Sequence, residues 1–346
     1  MPATPDRPTI EDVAAAAGVS VATVSRAMRG LPNVAPATRA LVLAAADALD
    51  YHADPAATRL ASGRTRTIGA VVPLLSAWYF AQVVAGIEAI CSAENYDLIV
   101  MSAASHEQFE RLADDSARLR RRVDGLVVVD YALADTHVDR FRAIDIDVVS
   151  IGAARGSFPT VGIDDRMVGE LAMRHLLELG HTRIAVVGAP ADDQLDPFRF
   201  AVPRLRVAGC TSTLAEAGLA LDPTLVMPGG FTIDAGVEAG RTLFALAEPP
   251  TAVLALSDEM AFGVQRAARD LGVSIPGDIS LIGVDDHELS SVVNLTTVAQ
   301  DVAGHGSTAA RLLIDRLSGH DGPIDHICHD VALIERGTTQ HLEAAS

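Results

Sequence analysis

From Ile68 onward the chain repeats one pattern: a short, almost uninterrupted apolar run, then a longer segment with apolar positions every three or four residues. IGAVVP reads as a buried strand, DLIVMS as a strand, and VDGLVVVD, DVVSIG and TVGIDD as short apolar strands of a parallel sheet. FAQVVAGIEAICSAENY and HEQFERLADDSARLRRR carry helical spacing between them, as crossovers require. GELAMRHLLELGH opens a second series: RIAVVG, a helix near Val202–Ala217, LVMPG, a helix near Ala235–Leu246, AVLALS, MAFGVQRAARDLG and SLIGVDD. Two such series predict two doubly wound parallel-sheet subdomains, with ligand crevices at the carboxyl ends of the strands. LTTVAQD (Leu295–Asp301) and a helix near Gly304–Leu317 lead back to the first half, and the strand VALIERG crosses again. Three crossings suit a clamshell.

The first fifty residues read differently. Ile10, Val13, Ala14 and Ala17 share one side of a short helix, which Thr9 caps with Glu11 and Asp12 at its positive end. Gly18 stops it. Ser20 caps a second helix, placing Val21, Val24 and Met28 inward and Ser25, Arg26 and Arg29 outward. After the loop RGLPNV, Pro36 opens a third helix to about Leu49, with Leu41, Val42, Ala45 and Leu49 as its inner face. Two short helices around a glycine turn, with small polar and basic groups outward, predict a helix-turn-helix. The spacing alone fits an ordinary helical hairpin equally well.

Charge separates the same two regions. The net charge of -18 over 346 residues looks wrong for a partner of nucleic acid. Residues 1–66, however, hold seven Arg against six acids, a net of +1, and the remaining 20 basic and 39 acidic residues give -19. A near-neutral head on an acidic body fits a DNA reader whose body repels non-specific nucleic acid. All 27 basic residues are arginine, a sign of a GC-rich genome more than of chemistry. No apolar stretch is long enough to span a bilayer, and MPATPDRPT lacks a signal-peptide pattern, so a cytoplasmic protein is expected. Cys91, Cys210 and Cys328, odd in number and far apart, argue against a disulfide framework.

The run TIEDVAAAAGVSVATVSRAMRG…V-x-P-x-TR…ALDY resembles the head of the lactose-repressor (LacI/GalR) family of bacterial transcription regulators, and the resemblance extends over nearly the whole chain. It implies an N-terminal all-α helix-turn-helix head (7–53), a hinge helix and linker (54–66) and an α/β type I periplasmic-binding-protein-like body (67–340). The N-subdomain would comprise about 67–170 and 300–328, the C-subdomain about 171–299 and 329–340. Val21 and Ala22 would meet base edges in the major groove, where, lacking hydrogen-bonding groups, they would read apolar features such as thymine methyls. Val21 could instead be a core position. Ser25 and Arg26 would add base and phosphate contacts, with Ser20 and Arg29 beside them; Thr9 and Thr23 would touch phosphate. In HADPAATRLASGRTRT, Leu60 matches the family's minor-groove wedge on a hinge helix that forms on operator DNA; the alternative is a plain linker. The chain departs from the family at Ala53-Asp54 for Pro-Asn, Thr58 for Arg, and Ala35 for the usual capping Ser.

In the body, LSAWYF resembles LSNPFF, RVAGC resembles RLAGF, GGFT resembles GDFT and LSDEMAFG resembles AND-x-MA-x-G. These matches imply an effector cleft bordered by Ser76, Trp78, Tyr79, Phe80, Arg206, Phe231, Ser257 and Asp258, with Asp285 and Gln300 completing the set. Aromatic faces beside Arg and Asp suit a carbohydrate or sugar phosphate, with a nucleoside second. Core packing is the plain alternative for Tyr79 and Phe80, and an interdomain salt bridge for Arg206 and Asp285.

Other signals carry less. His320, His326, Cys328 and His329 fit no metal template, so surface histidines are expected and no metal or cofactor. Gly304–Gly306 (GHG) is no phosphate loop, and no GxSxG elbow exists. An enzyme is therefore not expected. The expected protein is a ligand-switched, sequence-specific DNA-binding regulator, a repressor in type, acting as a homodimer on a pseudo-palindromic operator. The alternative is a sugar-binding protein of the transport type without regulatory DNA binding.

Overall fold

The computed structural model describes residues 8–28, 32–51, 64–131, 133–152, 156–190, 201–320 and 326–342. The chain divides into two compact units, Met1–Thr65 and Arg66–Ser346.

The first unit holds three helices, α1 (Ile10–Ala17), α2 (Val21–Met28) and α3 (Pro36–Ala48). Thr9 and Asp12 form a reciprocal capping box at the start of α1, and Gly18, with φ of 65°, ends it in the left-handed turn that glycine adopts cheaply. The Ser20 hydroxyl accepts from the Thr23 amide at 3.2 Å and so starts α2. Ala35 precedes α3 without a side-chain cap, and Pro36 starts the helix through its fixed φ. Val13, Ala14, Ala17, Val24, Ala27, Val42 and Ala46 make the core. Two inward expectations are corrected. Val21 is 41% exposed and Leu41 54% exposed, because Val24 and Ala27 on α2, and Val42 and Ala46 on α3, occupy the shared centre. Leu60 and the expected hinge helix lie outside the described residues, as does Arg29.

The second unit contains two six-stranded sheets. The first runs in the order β11 (His326–Cys328), β5 (Thr160–Gly162), β4 (Asp147–Ile151), β3 (Gly125–Val129), β1 (Thr67–Val72), β2 (Asp97–Ser102), all parallel. The second runs β12 (Val331–Ile334), β10 (Thr296–Gln300), β9 (Ser280–Asp285), β8 (Ala252–Ala255), β6 (Ile184–Ala189), β7 (Val226–Pro228), parallel except for β12 against β10. Helices α4 (Trp78–Ala93), α5 (His106–Asp114), α6 (Ser116–Arg120) and α7 (Asp135–Arg142) belong to the first half. Helices α8 (Asp165–Glu178), α9 (Ala201–Glu216), α10 (Ile233–Phe244), α11 (Asp258–Leu271) and α12 (Glu288–Val292) belong to the second. After β10 the chain returns through α13 (Val302–Leu317), which packs against α4 in the first half. It then joins the first sheet through β11 and the second through β12. The three crossings therefore fall near 163–165, 300–302 and 329–330. Since α8 packs on α9 and on strands of the second sheet, the expected N-subdomain limit near 170 falls inside a second-half helix.

The segment HEQFERLADDSARLRRR is broken at Asp115 into α5 and α6, and α7 and α12 lie where no helix is expected from sequence. Among the described residues no helix is long and apolar enough to cross a membrane.

Candidate functional site

In the first unit, α2 presents one exposed face. Val21, Ala22 and Arg26 are exposed and Ser25 is half-buried, while Val24 and Ala27 hold the helix to the core. The Thr9 hydroxyl donates to the Asp12 carboxylate at 2.8 Å while accepting from its amide at 3.3 Å, so it serves the cap. The Ser20 and Thr23 hydroxyls lie 2.9 Å apart at the start of α2.

In the second unit, the carboxyl ends of both sheets border a cavity of about 500 Å³. Seven of the ten residues assigned to the cleft from sequence line it: Tyr79, Phe80, Arg206, Phe231, Ser257, Asp285 and Gln300. Three do not. Ser76 is exposed, and Pro73, Leu74 and Ala77 face the cavity from that loop instead. Trp78 turns away, its indole N–H donating to the Glu288 carboxylate at 2.7 Å and its ring packed at a tilt of 30° on His287, with centroids 4.5 Å apart. Asp258 is buried in a knot of its own, accepting from the Ser290 hydroxyl at 2.6 Å, the Thr297 hydroxyl at 2.7 Å and the His287 amide at 2.8 Å. Burial pushes Asp258 up to about 6 against the pull of those donors. It ties α11 to the segment after β9 and to β10 itself, which explains its place in the motif without a ligand.

Arg206 organises the second-half wall. It stands on α9, which approaches α8 so closely that a Cβ on Gly169 would lie 2.0 Å from the Arg206 carbonyl oxygen. That approach carries the guanidinium, only 4% exposed, to the Asp165 carboxylate at 3.0 Å and the Leu256 carbonyl at 2.7 Å. Alongside, Gln300 donates to the Asp285 carboxylate at 2.6 Å. Burial raises Asp285 to about 8, although Arg206 pulls it down. Cys210, at the position of a family aromatic, is buried in the core behind this wall.

Sequence reasoning missed Asp130, Asp165, Glu259 and His305, which also line the cavity. Asp130 directly follows β3 and Asp165 lies just beyond β5. The strand-end rule points to both, whereas His305 gives no signal before its helix is placed. The backbone is unusual here as well. Asp130 and Phe231, each with φ of 55°, and Asp285, with φ of 117°, hold left-handed or strained conformations around this one cavity. Such conformations persist where a fixed side-chain position is worth their cost.

Residues 9–54 match the model of the bacterial regulatory proteins, lacI family, and residues 173–339 match a periplasmic binding protein-like domain. Catabolite control protein A of Priestia megaterium is 34% identical over 309 residues, covering 88% of this chain and 91% of that protein. The chain belongs to the lacI family of bacterial regulatory proteins. Among solved structures, the lac repressor dimer bound to operator and the anti-inducer ONPF superposes with a TM-score of 0.84 at 27% identity, over 97% of this chain and 100% of that one. A complex of the transcriptional regulator CelR with cellobiose gives 0.69 at 31% identity, over 96% and 100%. As a lacI-family member the chain is a DNA-binding transcriptional regulator. It carries the family's architecture of a helix-turn-helix head followed by two α/β subdomains.

Proposed function

We propose that the chain is a repressor that acts as a homodimer on a pseudo-palindromic operator and is switched by a small polyhydroxylated effector in the second unit's cavity. The observation that carries this reading is the pairing of an exposed recognition face, Val21, Ala22, Ser25 and Arg26, with that cavity in one chain. On this reading Val21 and Ala22 give apolar contacts to base edges, Arg26 and Arg29 meet phosphate or bases, and Ser20 and Thr23 seat the start of α2 on the backbone. Thr9 contributes through the helix end it caps, and Leu60 is the minor-groove wedge.

In the cavity, Phe80 and Phe231 supply ring faces, and Arg206, Asp285 and Gln300 supply directed hydrogen bonds. An uncharged sugar is favoured over a sugar phosphate. Among the described lining residues the carboxyl groups of Asp130, Asp165, Glu259 and Asp285 face one guanidinium, which Asp165 already engages. The relative solved with cellobiose supports that class.

The experiment is selection of bound duplexes from a random pool at near-physiological salt, followed by titration of the recovered duplex with ribose, glucose and cellobiose. A palindrome released or tightened by one sugar is expected. Recovery of no sequence preference would overturn the operator reading, and indifference to every sugar would overturn the effector class. Leu60→Ala is expected to weaken the recovered duplex far more than random DNA; equal losses would remove the wedge.

A further inference from the structure

The first-half wall of the cavity carries a side chain that no described residue satisfies. His305 lies one turn into α13, 1% exposed, and neither of its ring nitrogens has a hydrogen-bond partner among the described residues. A shielded polar group without a partner destabilises a fold, so native proteins retain few of them without another use.

Its pose is held from two sides. A Cβ on the following Gly306 would lie 2.1 Å from the Val83 carbonyl oxygen, so α13 and α4 meet backbone to backbone there and fix the chain at His305. The His305 ring packs edge-on against His329, with centroids 4.8 Å apart and planes at 89°. His329 is anchored in turn, its Nε2 3.1 Å from the Thr308 hydroxyl and its amide donating to the Gly162 carbonyl at 2.7 Å. Burial, reinforced by His329, lowers His305 to about 4, so its imidazole is neutral at ordinary pH. One nitrogen then donates and the other accepts, and the tautomer adjusts to the partner.

We propose that His305 is a ligand-contacting, specificity-determining residue that selects an uncharged hydroxyl of the effector at the first-half wall. The proposal rests on the reading of the cavity as the effector site. A hydroxyl can donate or accept and so suits either tautomer, whereas a phosphate would share this wall with the Asp130 carboxyl, whose Oδ1 is likewise shielded and unpartnered. His305 thus trades stability of the empty protein for discrimination in the filled one. A purely structural histidine makes no such trade.

The test is calorimetric titration of the full chain with ribose, glucose, cellobiose and glucose 6-phosphate, then with monodeoxy derivatives of the uncharged sugar that binds. His305→Leu is expected to weaken that sugar about 10–100-fold, while the unliganded variant melts at or above the wild-type temperature. One monodeoxy derivative should lose affinity for wild type by a similar factor and lose none further in His305→Leu. His305→Asn, which keeps a donor and an acceptor, should bind closer to wild type. Affinity within twofold of wild type in His305→Leu, for a sugar that Phe231→Ala weakens, would overturn the role of His305 and leave the cavity reading intact. Indifference to both substitutions would overturn both. Tighter binding of the phosphate, no binding by any sugar, or a lower melting temperature of the empty leucine variant would each overturn the selection proposed.

Discussion

The two walls of the cavity come from halves that differ in strand direction only at one edge, yet they are furnished in opposite ways. On the second-half wall the polar groups satisfy one another before any ligand arrives: Arg206 with Asp165 and the Leu256 carbonyl, Asp285 with Gln300. On the first-half wall Asp130 Oδ1 and both nitrogens of His305 have no partner among the described residues. A prepaired wall orients a ligand with little rearrangement, because its dipoles are fixed in advance. An unpaired wall discriminates, since a ligand lacking the matching group leaves buried atoms unmet. The difference separates positioning from selection, and each substitution below attacks one side of it.

The largest effect is expected at the paired wall. Arg206→Met removes the guanidinium from a buried carboxylate, Asp165, and should cost about 3–5 kcal/mol of stability in urea denaturation. Replacing Asp165 with Leu in the same protein should return most of that loss, because a buried ion pair exchanged for apolar groups is close to neutral. Ligand response should not return with it. A single substitution costing under about 1 kcal/mol would mean that the pair resembles a surface salt bridge and does not organise the wall.

Next comes the unpaired wall, through pH. Burial raises Asp130 to about 7 from the usual 3.8, with the Asp165 carboxylate adding to the rise and Arg206 opposing it. The folded protein therefore holds a proton that the unfolded chain has lost between about pH 4 and pH 7, and stability falls as pH rises through that window. Asp130→Asn abolishes the ionisation. Its gain in melting temperature should be larger at pH 8 than at pH 5, and an equal gain at both would show that the carboxyl is not charge-strained. His305, lowered to about 4, acts with the opposite sign. The unfolded chain binds its proton first, so stability falls as pH drops from about 6.5 toward 4.

The same contrast separates what could be read from sequence and what could not. Buried parallel strands were legible because runs such as IGAVV and GLVVV are apolar on both faces. α7 was not, since DTHVDRFR offers only Val138 and Phe141 at helical spacing, and α12 is five residues long. The paired wall was largely legible: Arg206 sits in a motif position, and the family resemblance supplied Asp285 and Gln300 beside it. The unpaired wall was not. His305 reads as one histidine between two glycines, and only the approach of α13 to α4 brings it to the cavity. Motif matching also assigned Trp78 and Asp258 to the ligand, because it places residues near a site without telling a lining side chain from one that braces the lining. Val21 shows the limit of period alone. Helical spacing put it with Val24, but three helices this short leave room for only one row of α2 in the core.

The smallest effect is expected at Trp78, which lines neither wall but joins the halves that carry them. Its indole N–H reaches Glu288 on α12, its ring lies on His287, and its backbone hydrogen-bonds to Glu259. It is the chain's single tryptophan, so its emission reports directly on this contact. Trp78→Phe removes one exposed hydrogen bond and should cost about 1 kcal/mol or less in stability. If the tie holds the halves in the ligand-competent arrangement, its loss taxes every ligand by the same few-fold factor, since it lowers the competent fraction and alters no contact. His305→Leu should instead reorder sugars according to the hydroxyl each presents. Titrating both variants with the same series separates a brace from a selector. A reordering in Trp78→Phe would return Trp78 to the cavity wall, where its sequence motif placed it.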